Sequence, residues 1–98
     1  MTDLAPLTTA DLDEATLEQL FIDLTSLTEI LQVMVKGGGT DHAGDCDVES
    51  GRRALLAGAR GMQIRYRWQD AMWLDTLMRT AQGVRIVRTR LPAPEEIP

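Results

Sequence analysis

Between residues 11 and 36 the hydrophobic positions fall first at helical and then at alternating spacing. Leu17, Leu20, Phe21, Leu24 and Leu27 recur at intervals of three and four, the apolar stripe of an amphipathic helix. Asp11 stands at an N-cap position with Glu14 three residues later, the arrangement of a capping box. Asp13, Glu14 and Glu18 crowd the first turns, where the helix dipole favours negative charge. Beyond Leu27 two patterns compete. Leu31, Met34 and Val35 extend the helical stripe, whereas Ile30, Val33 and Val35 are β-branched and Leu31, Val33 and Val35 alternate. A strand over residues 30–36 is the reading taken, because it gives the downstream strands the extra partner a stable sheet needs.

Gly37-Gly38-Gly39 ends that strand and opens a loop of small and polar residues. Asp47 is placed to cap a second helix over 48–57, anchored by Leu55 and Leu56. Gly51 inside it costs about 1 kcal/mol relative to alanine, so this helix must be held by packing. Three strands follow, at 62–68, 72–80 and 84–91, joined by Gln69-Asp70-Ala71 and Ala81-Gln82-Gly83. The pattern predicts an α+β domain in the order α-β-α-β-β-β. Two helices pack on one face of a small antiparallel sheet that ends in a three-stranded β-meander. Residues 1–10 read as a flexible N-terminal arm, 11–91 as the single domain and 92–98 as a disordered Pro/Glu tail.

Side-chain parity ties the faces of the meander to its turns. A three-residue first loop sets Trp68 opposite Met72, Tyr66 opposite Leu74, Ile64 opposite Thr76 and Met62 opposite Met78, which makes one face apolar. The other face then pairs Arg67 with Trp73 and Arg65 with Asp75, a cation–π contact and an ion pair. A two-residue loop would set Asp75 beside Ile64 and mix the faces, so the three-residue register is expected. In it Asp75 is exposed and its loss leaves the fold intact. The last strand stays open between two registers. One sends Ile86, Arg88 and Arg90 to the apolar face; the other sends Val87 and Leu91 there and sets Arg90 opposite Asp75.

Composition changes this picture in one respect, the placing of charge. The 98-residue chain has a formal net charge of −5. Residues 1–50 hold eleven acids and one base, whereas residues 51–98 hold nine arginines and four acids. An acidic helix layer beside a basic sheet follows, and the basic half is free to meet an acidic partner. With 44% hydrophobic residues the chain can build a core. No apolar run is long enough to span a membrane and the first residues show no basic and apolar leader, so a cytoplasmic location of bacterial type is expected. Cys46 is the sole cysteine, which excludes an internal disulfide.

Candidate chemistry is sparse. The segment Asp41-His42-Ala43-Gly44-Asp45-Cys46-Asp47 gathers the only His, the only Cys and three carboxylates, all of them metal-ligating types. Their spacing fits no metal site: Ser50 and Leu56 stand where a calcium loop needs its glycine and its closing glutamate. No nucleophile–base pair is fixed by an element, so neither cofactor, metal nor catalysis is expected, and a small metal protein or enzyme using residues 41–47 stays as an alternative. The run Arg65-Tyr66-Arg67-Trp68 suggests a nucleic-acid platform, but alternation separates its rings from its arginines. The favoured expectation is a non-catalytic accessory or protein-interaction module, binding a protein or a second copy of itself. Its site is a sheet face of Arg65, Arg67, Trp73, Asp75 and Leu77, rich in the residue types of interface hot spots.

Overall fold

The computed structural model describes residues 8–37 and 46–92. Its elements in chain order are β1 (Thr8–Leu12), α1 (Glu14–Leu27), β2 (Glu29–Lys36), α2 (Val48–Leu56), β3 (Gly61–Trp68), β4 (Ala71–Thr80) and β5 (Gly83–Leu91). The five strands form one antiparallel sheet in the order β1-β5-β4-β3-β2. The chain is thus α+β, with one correction to the expected order. A strand precedes α1, so residues 8–10 are sheet rather than loose arm. Residues 1–7 and 93–98, where the rest of the arm and the tail were expected, lie outside the described residues.

β1 forms because Thr8–Leu12 lines up against β5 from Thr8–Arg88 to Leu12–Val84, which sends Ala10 and Leu12 toward the core. The chain then turns at once into α1. Its N-cap is Asp13 rather than Asp11, with the Thr16 amide donating to the Asp13 carboxylate at 2.7 Å. Bonding from the Thr16 side chain and then from its amide holds the Asp13 carboxyl below its usual range. α1 joins the two edges of the sheet. Fourteen residues of helix span about 21 Å, and four interstrand spacings come to about 19 Å, so the helix is long enough to cross the whole sheet. The expected layer of two helices on one face gives way to an uneven arrangement: α1 contacts the edge strands β1 and β2, while α2 packs on β2 and β3.

The strand over 30–36 is real, and β2 extends it by one residue to Glu29. A bulge between Ile30 and Gln32 disrupts this edge, and the Cys46 amide donates to the Val33 carbonyl at 3.1 Å. Both features blunt an edge that would otherwise template pairing with another chain. Gly51 earns its place in α2 by close approach. A Cβ there would stand 2.6 Å from the Met62 terminal methyl and 3.0 Å from Val33, so any larger residue must push the Met62 side chain aside for the helix to settle so near the sheet. Arg79 of β4 donates to the carbonyls of Leu55 and Ala59, giving the end of α2 the cation its dipole favours.

The register of the meander is the main correction. Gln69 and Asp70 both have positive φ, 51° and 62°, and form a two-residue turn that pairs Trp68 with Ala71. Ile64 therefore lies opposite Asp75, Tyr66 opposite Trp73 and Met62 opposite Leu77. The second turn is also two residues, Ala81-Gln82, closed by a Thr80–Gly83 pair in which Gly83 takes φ 149°. It sets Arg88 opposite Asp75 and Ile86 opposite Leu77, so Arg90 lies opposite Trp73 instead. Every strand residue of the core comes from this one face: Val33, Val35, Met62, Ile64, Tyr66, Trp73, Leu77, Val84 and Ile86. Leu17, Phe21 and Leu24 of α1 and Leu55 of α2 join them.

Within that core sits a buried polar group. Asp75 is 0% exposed and Arg88 5%. The Arg88 guanidinium grips the Asp75 carboxylate through two bonds, Nε to Oδ1 at 2.8 Å and Nη2 to Oδ2 at 2.7 Å. The Tyr66 hydroxyl donates to Oδ1 at 2.9 Å. Burial, and then the charge of Asp75, push the Tyr66 phenol well above its ordinary range. Burial works against the Arg88 charge, but the bonds and charge of Asp75 outweigh it and raise its pKa.

Two predictions follow from this network. Asp75→Ala strands the Arg88 charge in the core and should cost about 3–5 kcal/mol, as much as truncating the fully buried Ile64, where about 2–5 kcal/mol is expected. Replacing the pair together, as Asp75→Leu with Arg88→Met, should recover most of that loss in urea unfolding. A loss under about 1 kcal/mol for Asp75→Ala, the size of an exposed ion pair, would show that the carboxylate is not buried in solution. Tyr66 gives the second. Its phenol keeps its proton in the fold but loses it in the unfolded chain above about pH 10. The unfolded state then binds fewer protons, so stability should fall as pH rises beyond that point. Tyr66→Phe should cost about 0.5–1.5 kcal/mol at neutral pH for the lost hydrogen bond and should flatten the alkaline decline, read by unfolding at pH 8 to 11.

Candidate functional site

The two-residue turn at Gln69-Asp70 divides the five residues expected to share a face. Trp73, Asp75 and Leu77 belong to the core, and all three are buried. Arg65 and Arg67 stand exposed on the opposite face, Arg65 across from Leu74 and Arg67 across from Met72. The expected Arg67–Trp73 and Arg65–Asp75 contacts are therefore not formed: parity at the turn was off by one, which turns a whole strand over. Trp73 instead meets Trp68 edge-on with ring centroids 6.4 Å apart. Its Nε1 is buried and has no hydrogen-bond acceptor.

What replaces the expected site is the second face of the sheet. On β4 it carries Met72, Leu74, Thr76 and Met78, and on β5 it carries Leu91, Thr89, Val87 and Arg85. Beside Arg65 on β2 lies Gln32, and beside Gln63 lies Met34. Met72, Leu74, Val87 and Leu91 are partly covered by their neighbours, yet none belongs to the core cluster. The charges on this face are unevenly satisfied. Arg85 donates to Asp11 at 3.0 Å, and Arg67 lies 3.6 Å from Glu29. Arg65 has no carboxylate partner among the described residues. Met72, Leu74, Val87 and Leu91 were legible only through the turn: with Gln69-Asp70 as the loop, alternation alone assigns them to the face of Arg65.

A concave feature lies at the seam of α1, β2 and α2, a groove of about 950 Å³. Phe21, Ile22, Ile30, Val33 and Val48 supply its apolar lining, and Cys46 lies among them. Arg52 closes one side by donating to Glu18 twice, at 2.7 and 2.6 Å, and to Glu49 at 3.3 Å. These bonds hold the Glu18 carboxyl below its usual range and raise the Arg52 guanidinium. The arrangement fastens α1 to α2.

Of the segment 41–47, residues 41–45 lie outside the described residues. Asp47 caps α2, accepting from the Ser50 amide at 2.7 Å, a bond that lowers its carboxyl pKa. Among the described residues no three of His, Cys, Asp and Glu stand together as a metal would need. No helix among them is long and apolar enough to cross a membrane. No protein-family model, curated protein or solved structure matches this chain, so the reading of its function rests on the residues and geometry above.

Proposed function

We propose that the chain is a non-catalytic protein-binding module that works in a bacterial-type cytoplasm through the sheet face of Arg65, Arg67, Met72 and Leu74. The observation that carries this reading is the makeup of that face. It gives no residue to the core, yet it sets partly covered apolar side chains beside an exposed arginine, Arg65, that has no carboxylate partner among the described residues. Flexible methionines adapt to a partner's shape, and Met34, Met72 and Met78 all lie here. Arginine adds directional hydrogen bonding at the rim.

A pull-down from the native cell with the chain as bait, the recovered proteins identified by mass spectrometry, tests this. The expected result is a partner that binds the wild type and is lost with Met72→Gln/Leu74→Gln, while the circular dichroism of the variant is unchanged. A partner held equally by the variant would move the site elsewhere and overturn the reading.

Nucleic acid is the second reading, favoured by Arg65 and Arg67 emerging together on one face. Against it, Tyr66 and Trp73 are buried and Trp68 lies on their face of the sheet, so no ring is offered for base stacking beside those arginines. The net charge of −5 also opposes approach to phosphate. Single-stranded oligonucleotide should bind weakly and be released at physiological salt. Tight binding that survives there and is lost in Arg65→Ala would replace the protein-partner reading.

A further inference from the structure

Resting on that binding face, we propose that the segment docking there is an amphipathic helix with an acidic flank, supplied by a different protein. The apolar part of the face is a strip two strands wide, with Met72 and Leu74 on β4 and Val87 and Leu91 on β5. Two strands span about 10 Å, close to the diameter of a helix with its side chains, about 10–12 Å. The flank on β3 carries two exposed arginines, of which Arg67 stands 3.6 Å from Glu29 and Arg65 has no carboxylate partner among the described residues. Arg65 and Arg67 stand two residues apart on β3, about 7 Å along the strand. Carboxylates four residues apart on a helix, about 6 Å, match that interval.

On the far flank Arg85 is already held by Asp11, so the demand for acid is one-sided. The same bookkeeping argues against a second copy as the occupant. The acids this face carries among the described residues are Asp11 and Glu29, and both already stand beside an arginine of their own chain. A like face would bring Arg65 no free carboxylate.

Two synthetic peptides of about 16 residues, long enough to hold a helix in water, test this. They share one leucine stripe and differ only in carrying a row of Glu or a row of Lys on one flank. Each is titrated into the full chain at physiological salt, and the methyl resonances of Met72, Leu74 and Val87 are followed. The Glu peptide should saturate those shifts with an affinity about tenfold above the Lys peptide, the sum of two small rim pairs made rather than opposed. In Arg65→Glu/Arg67→Glu the preference should invert. Equal binding of both peptides at Met72 and Leu74 would remove the acidic helix while leaving the binding face in place. No shift at these methyls with either peptide would overturn the inference, and a partner indifferent to Met72→Gln/Leu74→Gln would overturn the face as well. Sedimentation of the wild type as a dimer that buries Met72 and Leu74 would assign the strip to a second copy instead.

Discussion

The contact between Asp75 and Arg88 is the constraint on which the rest of the sheet depends. Asp75 belongs to β4 and Arg88 to β5, and the Tyr66 hydroxyl that completes the group belongs to β3. A slip of one residue in either pairing would turn a strand over and leave a charge in an apolar core without its partner. Apolar residues of similar volume would pack as well or better, so the ion pair adds little net stability. What it adds is exclusivity of register. Three strands are keyed to one another at a single point, and every other side chain of the meander takes its face from that key.

The second face of the sheet follows from the same key. With Asp75 turned inward, Leu74 and Met72 must turn outward, and Arg65 and Arg67 stand beside them. A surface that is half apolar and rimmed by arginine is thus the counterpart of a core that holds a carboxylate. The α1 crossing sharpens the contrast: it carries Glu14, Glu18 and Asp23 and no base. The acidic half of the sequence and its basic half interleave instead of separating: Glu18 meets Arg52, Asp11 meets Arg85 and Glu29 stands beside Arg67.

Much of the fold was legible in the sequence because its long elements are strongly periodic. The stripe from Leu17 to Leu27, the β-branched run that becomes β2 and the Asp47 cap each carry their own local signal. β1 did not, because Thr8–Leu12 is short and polar and is a strand only by virtue of its pairing with β5. The site was misread at one place. Two-residue hairpin turns need positive φ at both central positions and usually announce themselves with Asn-Gly or Asp-Gly. Here Gln69-Asp70 adopts that geometry without glycine, so nothing in the turn itself favours the two-residue loop over the three-residue one. The apparent penalty of an inward Asp75 then seemed decisive, because its partner Arg88 comes from a strand whose register was itself open. Local reasoning weighs a buried charge alone; the fold weighs it with its counter-ion.

Charge at a distance and charge at contact act differently on this molecule. At long range the excess of acid repels polyanions, and salt screens that effect beyond about 8 Å at physiological ionic strength. At contact range only the local rim matters, and there Arg65 is exposed and unpaired among the described residues. A partner that brings a few well-placed carboxylates on an apolar surface gains the arginine contact and covers the methionine strip at once. A nucleic acid brings many phosphates and little apolar surface. It meets the same arginines without any ring beside them, against the field of the whole chain. On the proposed reading, apolar cover of Met72 and Leu74 and a carboxylate beside Arg65 act together, the first excluding water and the second fixing the partner's orientation.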